Sequence, residues 1–219
     1  MDGDGPRGTR RGYLAAVAAG GAVGLAGCIG GSGGGRAGCD PTDEPTVNSL
    51  PAPVLGDPDA AVTVMAFEDF ACPHCATYSL DEFPTIRSEY VDPGDVSYEF
   101  YHFPIPVDEK WSWEAASAAS GVHDEADAAT FFEFAHGVFE NQSDLSYETI
   151  RTAAEDAGAP GCAVVNDAAN GTYRPVAEAD RQRALDLGAG GTPAIFVDGR
   201  SVRPTAEDVG AAIESALQG

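Results

Sequence analysis

The chain has 219 residues, 43% of them hydrophobic, and 35 acidic residues stand against 12 basic ones. This length suffices for one domain with appendages, and ten phenylalanines, seven tyrosines and two tryptophans indicate a packed core rather than a disordered chain. The net charge of −23 argues against binding to nucleic acid or to anionic membranes. We interpret it as the surface of a protein from a high-salt environment, where self-repulsion is screened.

The N-terminus has the pattern of an export signal. Arg10 and Arg11 form a twin-arginine pair ahead of a weakly apolar stretch that ends in Leu-Ala-Gly-Cys at Cys28. This pattern resembles a twin-arginine signal peptide over residues 1–27, followed by a lipobox whose cysteine, Cys28, is lipidated after cleavage. The alternative is an uncleaved anchor helix over 14–31. Both interpretations place the rest of the chain outside the cytoplasm, held at the outer face of the cell membrane.

A segment rich in Gly, Ser, Pro and Asp follows the signal, over residues 28–58. It shows neither helical nor strand periodicity. We therefore predict a flexible, lipid-anchored tether, with a root-mean-square reach of about 30 Å if it behaves as a Gly-rich coil. The folded domain is predicted to occupy residues 59–219.

The first half of the predicted domain alternates strands and helices. Apolar runs at 61–67 and 96–103 predict two buried strands, joined by a helical segment that stops near residue 92. A strand, a helix and a strand in this order favour a right-handed crossover with parallel strands. A long helical block is expected next, over about 108–187, with phenylalanines along one helical face.

The C-terminal part predicts a hairpin followed by a helix. Apolar or β-favouring runs at 195–197 and 200–202 flank Asp198-Gly199, the sequence expected of a two-residue type I′ turn. Thr205 is placed to cap a last helix. The predicted order is therefore β-α-β, a helical block, and then β-β-α.

Two of the five cysteines lie three residues apart in Cys72-Pro73-His74-Cys75, directly after the first predicted strand. On the first turn of a helix, cysteines at this spacing share a face and can form a disulfide. Cys72 would lie at the helix N-terminus, where free N–H groups and the helix dipole stabilise a thiolate, and Pro73 suits an early helical position. We expect Cys72 to attack and the less accessible Cys75 to resolve, with His74 as a further hydrogen-bond donor.

A metal site is the main alternative for this tetrapeptide. Structural zinc needs four thiolate or imidazole ligands, but the sequence holds no second Cys-x-x-Cys, and His102, His123 and His136 are scattered. A purely structural disulfide would close too small a loop to add much stability. We therefore predict a redox centre without metal or cofactor, and we keep a redox-inert module that binds a soft metal ion as an alternative.

These motifs, in this order, resemble the DsbA-type branch of the thioredoxin fold. The resemblance rests on FEDFACPHC, FYHFPIP, FFEFAHGVFENQ and GAGGTPAIFVDGRSV, and it covers roughly residues 50–218. It implies an α/β, thioredoxin-like fold with a helical insertion between the β-α-β half and the C-terminal β-β-α half. It also implies a protein-disulfide oxidoreductase that acts on cysteine-containing exported proteins and has a membrane redox partner. A reductase of an extracytoplasmic acceptor is the alternative activity.

The resemblance implies roles for residues outside the tetrapeptide. Thr192 and Pro193 match the family's substrate-binding cis-proline segment, so we expect a cis bond between them. Asp69 occupies an acidic position often seen before the motif, and both Glu68 and Asp69 are candidates for handling the proton of the buried thiol. A glutamate that the better-known pattern has six residues before the first cysteine is replaced here by Ala66.

Three cysteines lie outside the tetrapeptide. If Cys28 carries the lipid, Cys39 and Cys162 are left, and two free thiols are a liability outside the cytoplasm. We therefore expect a structural disulfide between Cys39 and Cys162. The alternative is that Cys39 stays free in a mobile tail or pairs between chains.

Overall fold

The structure is a computed structural model that describes residues 35–105 and 107–219. The predicted signal peptide over 1–27 and the predicted lipidation site Cys28 lie outside these residues. In the part of the chain that is described, no helix is long and apolar enough to cross a membrane.

A five-stranded mixed sheet, with strand order β1-β3-β2-β4-β5, lies at the centre of the described domain. β2 and β3 run parallel, whereas β1 pairs with β3, β4 with β2, and β5 with β4 in antiparallel fashion. The pairing of β2 with β3 confirms the predicted parallel strands. The strands are β1 Val54–Gly56, β2 Val62–Glu68, β3 Val96–His102, β4 Ala194–Val197 and β5 Arg200–Val202.

The central strand β2 is covered on both faces. Val62, Val64 and Ala66 pack into the larger hydrophobic cluster, whereas Met65 and Phe67 pack into a smaller cluster on the opposite face. Successive side chains of a strand point to opposite faces, so this apolar run supplies both layers. The carboxyl end of β2 is thereby fixed from both sides.

A continuous helical segment, residues 73–91, follows β2. Pro84 lies where the first π-helical turn gives way to α2, and since a proline has no N–H to donate, a change of helical geometry is favoured there. The elements are α1 Pro73–Thr77, a π-helical turn Tyr78–Glu82, α2 Phe83–Ile86 and a second π-helical turn Arg87–Val91.

Helices form the insertion between β3 and β4, as predicted for about 108–187. Asp127 and Ser146 cap two of them, because their side chains accept hydrogen bonds from the N–H groups of Thr130 and Thr149. A 3-10 turn, Gln142–Asp144, joins α4 to α5. The helices are α3 Trp111–Glu125, α4 Ala128–Glu140, α5 Tyr147–Asp156, α6 Gly161–Asn170 and α7 Arg174–Asp186.

The C-terminal hairpin and helix form as the sequence predicts. Asp198 and Gly199 have positive φ angles of 47° and 76°, as both central residues of a type I′ turn require. Thr205 accepts a hydrogen bond from the N–H of Asp208 at the start of α8, Ala206–Leu217. The order is therefore β-α-β, a helical insertion and β-β-α, with one additional strand, β1, at the start.

The predicted division between a tether ending at residue 58 and a domain starting at residue 59 is wrong for the described part of the tether. β1 lies within that segment and pairs with β3 from Val54 opposite Glu99 to Gly56 opposite Ser97. The strand was missed because it has three residues and no alternation of apolar and polar side chains.

The segment before β1 is also attached to the domain. The guanidinium of Arg36 donates to the side-chain oxygens of Asn166 and Asn170 on α6. Cys39 and Cys162 form a disulfide, with an S–S distance of 2.00 Å, which is the pairing expected from the sequence. These partners are 123 to 134 residues apart, so no local periodicity could reveal them.

Candidate active site

The Cys72-Pro73-His74-Cys75 tetrapeptide lies just beyond the carboxyl end of β2. Cys72 is the N-cap of α1 and has an extended backbone. Pro73 takes an early helical position, where a backbone N–H would have no partner within the helix, so its missing N–H costs no hydrogen bond. The carbonyl of Cys72 accepts from the N–H groups of Cys75 and Ala76. Both cysteines are free thiols, with Cys72 3% exposed and Cys75 fully buried.

The surroundings of Cys72 lower the pKa of its thiol from 9.0 to about 5. The largest cause is a hydrogen bond from the side chain of Cys75, which burial of Cys72 partly opposes. Weaker contributions come from the side chain of Thr192 and from the backbone N–H groups of Cys75 and His74. The Cys72 sulfur is therefore a thiolate at neutral pH, the form that attacks disulfides.

The pKa of the Cys75 thiol is shifted in the opposite direction. Burial raises the pKa of its thiol well above the usual value, and the hydrogen bond to Cys72 and the nearby charge of Glu68 raise it further. The backbone N–H of Asp69 lies 3.4 Å from the Cys75 sulfur. A protonated Cys75 beside an ionised Cys72 is the division that an attacking and a resolving cysteine require.

Glu68 is the carboxyl group most closely coupled to the two thiols. It is the last residue of β2 and is 2% exposed, and its Oε2 accepts a hydrogen bond of 2.7 Å from the hydroxyl of Ser79. Burial raises the pKa of Glu68 to about 8, although the Ser79 hydrogen bond opposes this, and the charge of Cys72 adds to the rise. Such a carboxyl can give or take a proton near neutral pH.

The position of Glu68 could have been inferred from strand alternation. Glu68 lies on the same face of β2 as Ala66, because side chains two residues apart in a strand point the same way. Ala66 is the position where the family resemblance implies a glutamate. The carboxyl group is therefore displaced by two residues along the same face.

Asp69, the other acidic candidate, has a different environment. Its Oδ1 accepts from the N–H of Ala71 and its Oδ2 from the N–H of Ile105, each at 2.8 Å. Burial raises the pKa of Asp69, and these backbone hydrogen bonds oppose that rise. Asp69 therefore ties the loop before the tetrapeptide to the segment after β3, and the geometry favours Glu68 for proton handling.

The cis-proline segment predicted from the resemblance faces the tetrapeptide. The peptide bond between Thr192 and Pro193 is cis, and the sulfur of Cys72 lies 3.6 Å from the carbonyl oxygen of Thr192. His74 is exposed, and its contribution to the Cys72 pKa comes from its backbone N–H. The structure thus brings the candidate substrate-binding residues against the thiol predicted to attack.

Three side chains that support the site were not identified from the sequence. The Nε2 of Gln142 donates to the carbonyls of Phe70 and Cys72, at 2.8 and 2.9 Å, and the hydroxyl of Ser112 donates to the carbonyl of Ile105 at 3.1 Å. Gln142 is 70 residues from Cys72, so no spacing could indicate it. The sequence position of Ser79 did indicate a place near the site, because residues four apart share a helical face and Ser79 lies four residues after Cys75.

The described residues contain no cluster of ligands that would support the metal-binding alternative. Within residues 35–105 and 107–219, no three His, Cys, Asp or Glu side chains come close enough together to hold a metal ion. His102 is buried, its Nε2 lies 3.0 Å from the hydroxyl of Ser120, and burial lowers the pKa of its ring to about 3. It is a neutral histidine of the core.

Comparison with known proteins agrees with this geometry. The sequence model of the family described as thioredoxin matches residues 48–215. Over 98 residues the chain is 39% identical to disulfide bond formation protein D of Bacillus subtilis, an alignment that covers 45% of this chain but only 43% of that protein. It is 28% identical over 171 residues to a probable disulfide bond formation protein D of Bacillus cereus, covering 75% and 78% of the two chains.

The fold comparison gives the same result. The crystal structure of oxidised BdbD from Bacillus subtilis matches with a TM-score of 0.69 and 28% sequence identity, over 80% of this chain and all of that one. The predicted α/β, thioredoxin-like fold with a helical insertion is thereby confirmed. The similarity to disulfide bond formation protein D and to BdbD supports a protein-disulfide oxidoreductase. The chain belongs to the thioredoxin family.

Proposed function

We propose that this chain acts outside the cytoplasm and forms or reshuffles disulfides in cysteine-containing exported proteins. The observation that carries the proposal is the asymmetry of the pair: the pKa of Cys72 is lowered to about 5, whereas that of Cys75 is raised. A stabilised thiolate is a good leaving group and favours the reduced form of the enzyme. The disulfide between these two cysteines is therefore an oxidant for other thiols.

The exchange proceeds in two steps. A substrate thiolate attacks the sulfur of Cys72 in the enzyme disulfide, which forms a mixed disulfide and releases Cys75 as a thiolate. A second substrate thiolate then attacks the substrate sulfur of the mixed disulfide, and Cys72 leaves as a thiolate. Two electrons pass from the substrate dithiol to the enzyme, and the substrate gains one disulfide.

Glu68 handles the proton of the resolving cysteine. The released Cys75 thiolate takes up a proton because its pKa is high, and Glu68, whose pKa is about 8, is a neutral acid near pH 7 and can donate one. When the enzyme is reoxidised, Cys75 must lose this proton before it attacks Cys72, and the Glu68 carboxylate accepts it. The carboxyl group therefore serves both directions of the cycle.

Thr192 and Pro193 bind the substrate chain in this proposal. The carbonyl of Thr192 lies against the Cys72 sulfur, so a peptide that presents a sulfur to Cys72 passes along this segment. The free main-chain groups of an extended segment can pair with an extended peptide. His74, exposed beside Cys72, borders the same surface.

The proposed location rests on three features of the chain. The twin-arginine pattern over 1–27 supports export, and the Cys39–Cys162 disulfide suits an oxidising compartment. The lipobox supports attachment of Cys28 to the membrane. In this arrangement a membrane redox partner accepts the two electrons from the Cys72–Cys75 dithiol and restores the disulfide.

Refolding of reduced, unfolded ribonuclease by the oxidised protein tests this function. We expect the protein to restore ribonuclease activity and the Cys72→Ser variant to restore none. Insulin reduction in the presence of dithiothreitol tests the reductase alternative, and the metal content of the purified protein tests the metal-binding alternative. Failure of the wild-type disulfide to oxidise substrate thiols would refute the proposal.

A further inference from the structure

A cavity of about 250 Å³ lies next to the redox centre and has Glu68 in its lining. Glu68 and Ser79 are at its buried end, whereas Arg87, Glu133 and His136 line it with side chains that are 41%, 61% and 51% exposed and so mark its mouth. The cavity runs between α2 and α4, on a route separate from the Thr192–Pro193 segment that faces Cys72. The proposed function uses Glu68 but assigns no ligand to the cavity.

The wall of the cavity is aromatic. Phe83 contacts Tyr98 and Phe132, with ring centroids 4.5 and 6.0 Å apart, and Phe100 lies 6.3 Å from Phe132. These rings contact one another and line the same cavity as Glu68. Aromatic faces carry partial negative charge and attract cations, quaternary ammonium groups above all. The aromatic lining residues are Phe83, Tyr98, Phe100, Phe132 and Phe139.

The charge at the buried end of the cavity is not balanced by the basic group at its mouth. Arg87 lies 3.5 Å from Asp92 and 3.7 Å from Glu133, so its guanidinium is held among surface carboxylates. A buried carboxylate is costly unless a cation or several donors stabilise it. Glu68 receives one side-chain hydrogen bond, from Ser79, and its ionised form would be stabilised by a positive charge placed in the cavity.

We propose that this cavity binds a small organic cation with an apolar body, whose charge lies against Glu68 and whose body contacts the rings of Phe83, Tyr98 and Phe132. The available volume sets the size of the ligand. A dry cavity of about 150 Å³ holds benzene, so a cavity of this volume suits a ligand of about ten non-hydrogen atoms. A quaternary ammonium carried on one aromatic ring meets both the size and the charge requirement.

Binding of such a cation would have a consequence for the redox centre, and that consequence alone rests on the proposed function. The bound charge holds Glu68 as a carboxylate, which can accept the proton of Cys75 but has none to return. The ligand therefore favours the reoxidation half of the cycle and slows the reprotonation of Cys75. Binding itself is independent of any exchange activity, so the two can be tested apart.

Calorimetric titration of the full-length protein with three probes of similar size tests the proposal. The probes are benzyltrimethylammonium, benzyl alcohol and benzoate, which carry charges of +1, 0 and −1. We expect the cation to bind at least about tenfold more tightly than either of the others at pH 8, since it alone pairs with Glu68. Equal affinity for all three, tighter binding of benzoate, or no binding of the cation would each overturn the proposal.

Variants locate the binding site. Glu68→Gln should bring the affinities for benzyltrimethylammonium and benzyl alcohol to within about twofold of each other, because the charge is removed and the shape kept. Ala135→Leu should weaken binding of both probes by filling the cavity, in which Ala135 is a lining residue. Arg87→Ala removes a partly exposed side chain that pairs with surface carboxylates, and it should tighten cation binding severalfold. An unchanged cation affinity in both Glu68→Gln and Arg87→Ala would overturn the proposal.

The pH dependence identifies the group that binds the cation. Because binding needs the ionised form of Glu68, whose pKa is about 8, affinity should rise by up to about tenfold per pH unit below pH 8 and level off above it. His136→Gln should keep this profile, and its loss in that variant would overturn the proposal. The other titratable or charged groups around Glu68 and the cavity are Cys72, Cys75, Tyr78, Tyr98, Arg87, Glu133 and His136.

Four of these groups, Cys72, Cys75, Tyr78 and Tyr98, each stay in one protonation state over that pH range. The pKa of Cys72 is about 5, so its sulfur is already ionised, whereas burial raises the pKa of Tyr78 and Tyr98 and keeps both hydroxyls neutral. Burial likewise keeps Cys75 protonated. In the oxidised protein neither cysteine titrates, so the profile should persist there with Glu68 as its source.

Discussion

The side-chain amide of Gln142 donates a hydrogen bond of 2.9 Å to the carbonyl oxygen of Cys72 and thereby joins the helical insertion to the redox centre. The same nitrogen lies 2.8 Å from the carbonyl of Phe70. Gln142 begins the 3-10 turn after α4, so the insertion fixes the turn that leads into α1. The direction of the N–H groups of His74 and Cys75 toward the Cys72 sulfur depends on this turn.

Replacing Gln142 should therefore change the acidity of Cys72. Gln142→Ala leaves two carbonyls without this donor, and we expect a higher Cys72 pKa together with a loss of about 1 kcal/mol in the free energy of unfolding. Thiolate absorbance followed across pH measures the pKa. Asn141→Ala is the matched control, because the amide of Asn141 donates to Gly137 on an exposed face. A Gln142→Ala variant with the wild-type Cys72 pKa would contradict the expected role.

Glu68 and Cys72 should make opposite contributions to the pH dependence of stability in the reduced protein. The pKa of Glu68 rises from 4.5 to about 8 on folding, so the folded state binds more protons between these values and loses stability as pH rises. The pKa of Cys72 falls from 9.0 to about 5, so the folded state binds fewer protons and gains stability as pH rises from 5 to 9. The two contributions oppose each other between about pH 5 and 8.

Single substitutions should separate the contributions of Glu68 and Cys72 to the pH dependence of stability. Relative to the wild type, reduced Glu68→Gln should gain stability more steeply as pH rises from 5 to 8, and reduced Cys72→Ser should lose stability over the same range. Urea unfolding at pH 5, 6.5 and 8 gives the three slopes. Each comparison is made against the wild type, so contributions of other buried groups cancel. Identical slopes for all three proteins would show that neither pKa is shifted in the folded state.

The order of attack should appear in trapping experiments. Cys75→Ser keeps the attacking sulfur but cannot release a mixed disulfide, so we expect it to accumulate covalent complexes with substrate proteins. Cys72→Ser keeps only the buried thiol, whose pKa is raised, and should form none. Non-reducing gels of the two variants after incubation with a disulfide-containing substrate distinguish them, because the Cys72 thiolate attacks the substrate disulfide and displaces one substrate sulfur as a thiolate. The reverse pattern would exchange the two roles.

Local features of the fold could be predicted from the sequence because each depends on neighbouring residues. The apolar runs gave β2 and β3, Asp198-Gly199 gave the hairpin turn, and Pro73 after Cys72 indicated the start of α1. The capping residue Thr205 belongs to the same class, because a cap contacts an N–H three residues away. In each case the physical cause lies within a few residues of the feature.

Contacts between distant residues could not be predicted in this way. Arg36 contacts Asn166, 130 residues away, and Gln142 contacts Cys72, 70 residues away, so no local spacing links these partners. The choice between Glu68 and Asp69 is of the same kind, since adjacent residues in and after a strand face different neighbours. Burial beside Ser79 raises the pKa of Glu68, whereas two backbone N–H groups hold Asp69. Only the packed structure separates these roles.

The Cys39–Cys162 disulfide should contribute to stability without setting the chemistry of the redox centre. It closes a loop with a sequence separation of 123 residues, and loss of a native disulfide typically costs about 2–5 kcal/mol. We expect the Cys39→Ser/Cys162→Ser double variant to unfold at lower urea concentration and to keep the Cys72 pKa. Mass spectrometry of non-reduced peptides from the wild type gives the pairing directly. A free Cys39 thiol in the native protein would contradict it.

The reduction potential of the Cys72–Cys75 pair should lie above that of thioredoxin, about −270 mV, and below that of DsbA, about −120 mV. A lowered Cys72 pKa stabilises the reduced form and raises the potential, whereas burial of Cys72 disfavours the thiolate and limits that rise. The pH dependence of the reduction potential also reports whether Cys72 is ionised. With Cys72 ionised, two electrons bring one proton to Cys75, so the potential should fall by about 30 mV per pH unit between pH 6 and 7, and about twice as steeply below pH 5. Equilibration against glutathione across pH measures both quantities. A thioredoxin-like potential that falls by about 60 mV per unit at pH 6–7 would mean an ordinary Cys72 thiol, and would favour the reductase alternative.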